Sequence, residues 1–426
     1  MEDIIKRLLF GNVKKKRENI YIWNSMAGLI NAGKSVILSI LVTRICGLES
    51  AGVLSLAFAI SNLLMTIGKY GMRNFQVTDI ENKYNFSDYF SARIITVFAM
   101  GIISLGYVIV NARLYDYFGS KIVVIIGIST IFCIECIEDV FAGDFQKKGE
   151  LDVGSRIFVY RWIIMLVMWG ISLLITKSLA YSVIVALGTC ILCVYFFVKK
   201  THNNKDFRFK IQKPVISILK TCTPLCASNF MIYYVANASK YSIDKFLGEE
   251  LQAVYGFLSM AIFAIGLLSS FIYQPILTQL AADWENQKWA LLTKKLGKQI
   301  ICILGISLLA IGAAYFWGTS VLSLLYNTDL NMYRNMLVCL VIGSGAYAIE
   351  GYFGVVLTVM RKQNWIVGIY TLVTVVVFLL SDIVVKYWKL WGATILFMNS
   401  MFLLAVFLFA LIAIFIYKES KLAKNC

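Results

Sequence analysis

Residues 390–417 read LWGATILFMNSMFLLAVFLFALIAIFIY, a run of 28 residues without a charged side chain. One helical crossing of a membrane needs about 20 apolar residues, so this run is long enough for one span. Eleven further apolar runs precede it, near residues 20–43, 51–70, 92–111, 121–141, 155–176, 178–198, 215–238, 252–280, 299–317, 335–359 and 365–385. The sequence therefore predicts an all-α polytopic membrane protein with about 12 transmembrane helices.

The composition fits the same class of protein. Hydrophobic residues make up 59% of the 426-residue chain, and the mean hydropathy is +0.76. A soluble domain rarely has so little polar material with which to face water. We therefore expect a multi-pass membrane protein.

Basic residues alternate between rich and poor loops along the chain. If the N-terminus is cytoplasmic, and if the basic residues at the span ends are counted with the adjoining loops (Lys69, Arg93, Lys121 and Arg156), the inside segments hold 28 of the 40 Lys and Arg residues, the outside loops nine and the spans three. This bias is the one that the positive-inside rule requires, so both termini are predicted to be cytoplasmic. Most of the +16 net charge then faces anionic inner-leaflet lipid, which makes the bilayer, and not nucleic acid, the predicted partner.

The longest basic and poorly apolar stretch separates six predicted spans from six. Residues 47–53 (GLESAGV) and 248–254 (GEELQAV) also resemble each other at an offset of 201. Because each half has an even number of spans, the halves have the same orientation and form parallel repeats. The predicted parts are a cytoplasmic interfacial segment 1–19, a six-helix lobe 20–198, a basic cytoplasmic linker 199–213, a second six-helix lobe 214–417 and a cytoplasmic tail 418–426.

Polar residues recur at helical spacing within two of the predicted spans. A charge at the centre of a bilayer costs about 2.5–3.5 kcal/mol on insertion scales, so each charged residue within a span is expected to be paired or to have a function. In the first span, Asn31 and Lys34 share a face, and Lys34 either lines a cavity or pairs with a carboxylate on a neighbouring helix. In the seventh span, a polar stripe faces water, a ligand or another helix. The candidate substrate-binding residues are Asn31, Lys34, Asn229, Tyr233, Asn237 and Lys240.

The fourth span carries three acids that share one helical face. Glu135, Glu138 and Asp139 are at positions i, i+3 and i+4. Grouped carboxylates can form a cation or proton site, and they can equally balance a basic residue on the next helix, either Arg156 or Arg161. With Glu350 in the tenth span, they are the candidates for ion coupling.

Two further charged positions stand out near the ends of spans. Arg73 lies in a glycine-punctuated turn after the second span, where it is a candidate cytoplasmic gate or phosphate contact, or a headgroup anchor. Asp382 in the eleventh span has Lys386 one turn further on, and the spacing predicts that these two residues pair.

Several kinds of catalytic or metal site are excluded by the motifs. The C-x-x-C at Cys133 and Cys136 lies in an apolar helix without a second pair, and one histidine cannot complete a usual zinc site. No P-loop lysine motif occurs, and the Gly343-to-Ala348 match to the dinucleotide fingerprint lies inside a predicted helix. The chain is therefore predicted not to be an enzyme and not to bind a metal or cofactor.

Some stretches resemble a known family of membrane transporters. They are residues 24–47, the turn 68–79, the Glu138-to-Phe141 end of the fourth span with Gln146, and residues 237–247 followed by 252–257. These stretches resemble the Wzx-type polysaccharide flippases of the multidrug/oligosaccharidyl-lipid/polysaccharide (MOP) exporter superfamily, to which the MATE transporters also belong.

The resemblance implies a MATE-like fold and a transport function. Its two six-helix lobes would form a V around a cavity that opens alternately to each side of the bacterial inner membrane. The implied substrate is an undecaprenyl-pyrophosphate-linked oligosaccharide for O-antigen or capsular polysaccharide, with Lys34 and Lys240 neutralising the pyrophosphate. A polymerase and a chain-length regulator are the implied protein partners.

Two other functions remain as alternatives. A cation-coupled multidrug antiporter of the same superfamily would need acids in its cavity, and the acids of the fourth and tenth spans can supply them. A membrane glycan polymerase would place catalytic residues on a large extracytoplasmic loop. The longest predicted outside loop, about Gly318 to Arg334, has one acid and no histidine, which argues against a polymerase.

Overall fold

The computed structural model describes residues 16–79, 83–115, 117–201, 209–273 and 276–425. Within these ranges the chain is almost wholly helical and contains no strand. The first 15 residues of the predicted interfacial segment, residues 202–208 of the basic linker and Cys426 of the tail lie outside the described residues, as do residues 80–82, 116 and 274–275 of the predicted lobes.

Helices follow one another along the chain with short connections. The first are α1 (Lys16–Cys46), α2 (Leu48–Lys69), α3 (Met72–Thr78), α4 (Phe86–Leu114), α5 (Gly119–Lys147), α6 (Leu151–Thr176) and α7 (Leu179–Thr201). The later ones are α8 (Lys213–Phe246), α9 (Glu249–Tyr273), α10 (Leu277–Glu285), α11 (Trp289–Ala313), α12 (Thr319–Tyr326), α13 (Arg334–Val359) and α14 (Gln363–Asn425). A π-helical turn, Ala314–Gly318, joins α11 to α12, and a 3₁₀ turn, Asn331–Tyr333, precedes α13.

The helices of membrane-spanning length match the predicted number. Ten segments of the described chain are long and apolar enough to cross a membrane. One of them, Asn364–Lys421, contains two helical arms of α14 that meet at Lys389, where φ is 49° and ψ is −134°. Counting these arms separately and adding α9, which has 25 residues, gives twelve. The prediction of about 12 transmembrane helices is confirmed, and the orientation of the termini stays a prediction.

The chain forms two compact units, Met1–Phe230 and Met231–Cys426. The division lies inside α8. The first turns of α8 contribute Val215, Ile218 and Cys222 to an apolar core of the first unit, where they join side chains of α3, α4, α5, α6 and α7. The last turns of α8 belong to the second unit, where the Ser239 hydroxyl donates to the carbonyl of Ala393 at 2.8 Å.

Helix α5 is the centre of the first unit. It packs against α2, α3, α4, α6 and α7. Two glycines permit this close packing, because a Cβ at Gly127 would collide with Val183 of α7 and a Cβ at Gly143 would collide with Gln76 of α3. Small residues at helix contacts allow this approach within a membrane. The acids of α5 are therefore enclosed by neighbouring helices.

Helix α13 has the corresponding place in the second unit. It packs against α9, α10, α11 and α14. The repeated motif also has the same local structure in both units. Gly47 (φ 90°) and Gly248 (φ 83°) each precede a helix by one residue, and their carbonyls accept hydrogen bonds from Ala51 and Gln252, four residues on, at 3.3 and 3.1 Å.

Candidate functional site

Three basic side chains and one indole converge on Glu135 in the interior of the first unit. The Nζ of Lys34 lies 3.1 Å from Oε2 of Glu135, and the Nζ of Lys69 lies 3.4 Å from Oε1. The Nη2 of Arg161 is 3.5 Å from Oε2, and the indole Nε1 of Trp162 donates to the same oxygen at 3.3 Å. Glu135 thus joins α1, α2, α5 and α6 through one carboxylate.

Aromatic rings enclose the Lys34 ammonium on the sides that Glu135 leaves open. The Nζ lies 4.3 Å from the ring centroid of Trp162, 4.9 Å from that of Phe132 and 5.7 Å from that of Phe158. Cation–π attraction is strongest where the cation is desolvated, and only 5% of the Lys34 side chain is exposed. Of the two interpretations of Lys34, the structure has the pairing with a neighbouring carboxylate.

Arg161 links the second acid of α5 to the first. Its Nη2 lies 2.6 Å from Oε2 of Glu138, and its Nε donates to the same oxygen at 2.8 Å. Both side chains are buried, which is the condition under which an unpaired charge is most costly. The other candidate partner, Arg156, lies 3.5 Å from Asp152 on its own helix and stacks over Trp23.

Two arginines hold the third acid, Asp139, and they also fix the turn between α2 and α3. The Nη2 of Arg93 lies 2.9 Å from Asp139, and the Nη1 of Arg73 lies 3.3 Å from it. Arg93 also donates to the carbonyl of Gly68 at 2.7 Å, at the end of α2. Arg73 donates two hydrogen bonds to Oε1 of Gln146, at 3.0 and 3.1 Å. The candidate gate residue Arg73 is therefore anchored to α5.

Asp79 closes the loop that follows α3, outside the spans. Its carboxylate accepts hydrogen bonds from the backbone N–H groups of Lys83 and Tyr84, from the Tyr89 hydroxyl and from Nζ of Lys147, at 3.0 to 3.3 Å. Burial alone would raise the pKa of the Asp79 carboxyl, but these hydrogen bonds outweigh it and lower the pKa below its usual value.

The polar stripe of α8 crosses the division between the two units. Asn229 is half-buried in the first unit. In the second unit, the amide of Asn237 donates to the carbonyl of Tyr233 at 3.0 Å. Lys240 is 8% exposed, and within the described ranges no ion pair involves it. A buried ammonium without a carboxylate partner is unusual in a protein interior, and Lys240 is therefore a functional candidate. Asn31, by contrast, is exposed on α1.

Asp382 has a different partner from the one that the sequence predicts. The Nζ of Lys245 lies 2.9 Å from Asp382, and the Ser242 hydroxyl donates to the same carboxylate at 2.6 Å. The prediction of a pair with Lys386 is therefore wrong. Ser242 and Lys245 lie about one turn apart on α8, so both reach the carboxylate of Asp382. Within the described residues, no ion pair joins Lys386 to it.

Glu350 is buried in the second unit against a phenol. It is 2% exposed, and the Tyr370 hydroxyl donates to its Oε1. No ion pair in the described part of the chain involves Glu350, so this acid, unlike those of α5, has no basic partner there. The described residues also contain no group of three or more His, Cys, Asp or Glu that could hold a metal ion.

Sequence reasoning identified the acids of α5 but missed two of the cations around them. Arg93 lies at the first turn of a predicted span, where it reads as an interfacial residue. Lys69 lies at the end of another span, where a basic residue is ordinary. The spacing of four between Lys69 and Arg73, matching that between Glu135 and Asp139, is the signal that could have found this arrangement.

The chain is similar to known proteins both in sequence and in fold. No protein-family profile matches the chain. The capsular polysaccharide biosynthesis protein CapF of Staphylococcus aureus is 20% identical over 390 residues, which cover 88% of this chain and 94% of that protein. This similarity and the transporters described next support the prediction of a membrane transporter, not an enzyme.

Solved structures of transporters match the fold over nearly the whole chain. An inward-facing multidrug resistance MATE family transporter of the MOP superfamily has a TM-score of 0.74 at 13% identity, covering 94% of this chain and 99% of that one. A MOP superfamily transporter from Pyrococcus furiosus, whose binding pocket of reverse polarity suggests a different function, has a TM-score of 0.60 at 13% identity, covering 96% and 97%. The chain is a multi-pass membrane protein with the fold of the MATE transporters of the MOP superfamily.

Proposed function

We propose that this protein is a flippase that moves undecaprenyl-pyrophosphate-linked oligosaccharide repeat units across the bacterial inner membrane by alternating access. The fold of the MOP transporters and the similarity to a capsular polysaccharide biosynthesis protein support this proposal. Capsular polysaccharide is the favoured product, and O-antigen is the other product that the same chemistry would serve. A polymerase and a chain-length regulator are the proposed partners in assembly.

The observation that carries the proposal is the excess of positive charge among the ionic groups of the first unit, together with buried Lys240 in the second. The ionic network of the first unit contains five cations and three carboxylates: Lys34, Lys69, Arg73, Arg93 and Arg161 with Glu135, Glu138 and Asp139. In the second unit, Lys240 adds a buried cation without an ion-pair partner in the described ranges. Positive charge that is not balanced within the protein favours an anionic substrate.

A lipid-linked glycan is an anionic substrate for which a membrane protein is required. The polyprenyl tail can stay in the lipid, but the glycan and the pyrophosphate cannot leave water without polar and cationic partners. An inside-negative membrane potential also favours outward movement of an anion, by about 2.3 kcal/mol per charge per 100 mV. The protein then has only to supply a polar path for the head group.

The proposed substrate contacts include the polar stripe of α8. Lys240 offers a positive charge, while Asn229, Tyr233 and Asn237 offer hydrogen bonds for sugar hydroxyls. Asn31, which is exposed, stays a proposed substrate contact. Lys34, which is paired with Glu135, is proposed to compensate that acid and not to contact the substrate.

One observation favours a second candidate, a cation-coupled multidrug antiporter. Glu350 is a buried acid that accepts a hydrogen bond from the Tyr370 hydroxyl. A buried carboxyl group of this kind can bind a proton or a small cation. The acids of α5 favour the antiporter less, because each contacts at least one cation of the network. A membrane glycan polymerase has no comparable support.

Deletion of the gene in its host tests the proposal. A flippase deletion should abolish surface polysaccharide while repeat units accumulate on undecaprenyl pyrophosphate at the cytoplasmic face, as measured by mass spectrometry of extracted lipid. Intact surface polysaccharide with raised sensitivity to cationic dyes would instead identify the antiporter. Loss of polymer while single repeat units are displayed on the outer leaflet would identify a polymerase.

A further inference from the structure

Two acids of α5 each lie between a buried cation and a partly exposed one. The four contacts are Glu135 with Lys34 and Lys69, and Asp139 with Arg93 and Arg73. The buried members, Lys34 and Arg93, are 5% and 0% exposed, whereas Lys69 and Arg73 are 34% exposed each. We call Lys69 and Arg73 the outer cation pair.

The contacts of the two carboxylates with Lys34 and Arg93 are shorter than those with the outer cation pair. Glu135 lies 3.1 Å from Lys34 and 3.4 Å from Lys69. Asp139 lies 2.9 Å from Arg93 and 3.3 Å from Arg73. Each acid is thus already matched by a buried cation. The five cations of the ionic network exceed its three carboxylates by two positive charges, and the two partly exposed cations among them are Lys69 and Arg73.

The turn between α2 and α3 fixes the outer cation pair in place. Lys69 ends α2, and Arg73 follows four residues later, after Tyr70 and Gly71 with φ values of 53° and 66°. This reversal is secured because the carbonyl of Gly68 accepts hydrogen bonds both from Arg93 and from Thr96, at 2.7 and 2.8 Å. A rigid backbone here means that the two cations need little reorganisation to receive a ligand.

Opposite the pair, α5 repeats the same spacing. Side chains four residues apart on a helix have Cβ atoms about 5–6 Å apart, and Glu135 and Asp139 have this spacing. Each acid contacts one member of the outer pair, so the two cations are held as two separate points of positive charge. Two such points suit two linked phosphoryl groups better than a single carboxylate or a neutral glycan.

We propose that the outer cation pair is the binding site for the diphosphate of the lipid-linked substrate, an inference that rests on the proposed function. Arg73 has five N–H donors, of which three bond to Asp139 and Gln146, so two remain for phosphate oxygens. Lys69 supplies a point charge for the neighbouring phosphoryl group. Lys34, Arg93 and Arg161 take no part in binding, because their charges compensate the acids of α5.

Direct binding to the purified full chain in phosphatidylcholine nanodiscs tests this site. The probe is undecaprenyl pyrophosphate, with undecaprenyl monophosphate as the singly phosphorylated comparison. Lys69→Gln and Arg73→Gln should each weaken binding of the pyrophosphate probe about tenfold, and the double variant about a hundredfold. The matched control is Lys220→Gln, an exposed lysine of α8 in the same unit, which should bind within about twofold of the wild type.

Further variants and probes separate loss of the binding site from loss of the fold. Lys69→Gln should keep the fold, because Glu135 retains Lys34 and Arg161, and Lys69→Arg, which keeps the charge, should keep most of the binding. Unchanged binding of the pyrophosphate probe in the folded double variant would overturn the site. Equal affinity for the monophosphate probe would overturn the two-point assignment. Loss of binding in nanodiscs containing phosphatidylglycerol would assign the outer pair to lipid headgroups instead of substrate.

Failure of this inference differs from failure of the proposed function. If gene deletion blocks polysaccharide export but the double variant still exports and binds, the flippase function stands and the diphosphate lies elsewhere. If deletion leaves lipid-linked repeat units and surface polysaccharide unchanged, the proposed function itself is wrong, whatever the outer cation pair binds.

Discussion

Replacing Glu135 with glutamine perturbs the residue on which three cations converge. Lys34, Lys69 and Arg161 lie 3.1, 3.4 and 3.5 Å from its carboxylate. In the variant, Arg161 keeps Glu138 at 2.6 Å, and Lys69 keeps access to solvent. Lys34 has neither: its side chain is 5% exposed, and Glu135 is its one ion-pair partner in the described part of the chain. The cost of the substitution is therefore concentrated on Lys34.

The expected loss of stability follows from that isolation. Removing one partner of a buried ion pair costs about 3–5 kcal/mol. The rings around Lys34 offset part of this cost, since a desolvated cation–π contact is worth about 2 kcal/mol, and the lower end of the range applies. For a unit of this length, 1 kcal/mol shifts the melting temperature by about 2–4 °C, so we expect a fall of about 10 °C.

Thermal unfolding in detergent, followed by size-exclusion chromatography of a fluorescent fusion, measures this effect. Glu285→Gln is the control, because Glu285 is 68% exposed and lies 3.7 Å from Arg361. The double variant Lys34→Met/Glu135→Gln should regain most of the lost stability, since it removes both charges together. A melting temperature for Glu135→Gln equal to that of the control, or a double variant no more stable than Glu135→Gln, would refute the reasoning.

Three other substitutions test separate parts of the structure. Lys240→Met should lower polysaccharide export while abundance in the membrane stays equal or rises, because no ion pair is lost with it; normal export would remove Lys240 from the site. Asp382→Ala should lower the unfolding free energy by about 1 kcal/mol, since its ion pair is partly exposed, while Lys386→Ala should leave it unchanged. The lowered pKa of Asp79 contributes stability at neutral pH that is lost as the pH falls through that pKa. Asp79→Asn should therefore melt below the wild type at pH 7, with a gap that narrows below about pH 4; a gap independent of pH would contradict this.

The spans were predictable because each one is recorded in a continuous stretch of sequence. A run such as residues 390–417 gives the length and polarity of a helix directly. The bend at Lys389 is not recorded in this way, because no proline or glycine occupies that position. Residues 47–53 and 248–254 predicted a repeat, and the two glycines at its start have similar positive φ angles, 90° and 83°.

The partners of the buried charges were less predictable, because they depend on which helices become neighbours. Sequence spacing placed Glu135, Glu138 and Asp139 on one face, but it left open whether Lys34 would meet them. The packing of α1 against α2 and α6 brings Lys34 to Glu135, and no local sequence pattern reports that packing. At Asp382 the local pattern favoured Lys386, yet Lys245 from another helix is the partner that the fold supplies.

The position of the unit division inside α8 limits how the chain can be cut. Val215, Ile218 and Cys222 fill the core of the first unit although they follow the basic linker in sequence. A gene split within residues 202–208 would therefore give an N-terminal half that exposes an unfilled apolar groove. The C-terminal half would begin with the first turns of α8, whose apolar side chains would no longer have the core of the first unit to pack into. Two separately made halves should recover a stable protein only when they are produced together, so a strain that expresses either one alone should degrade it.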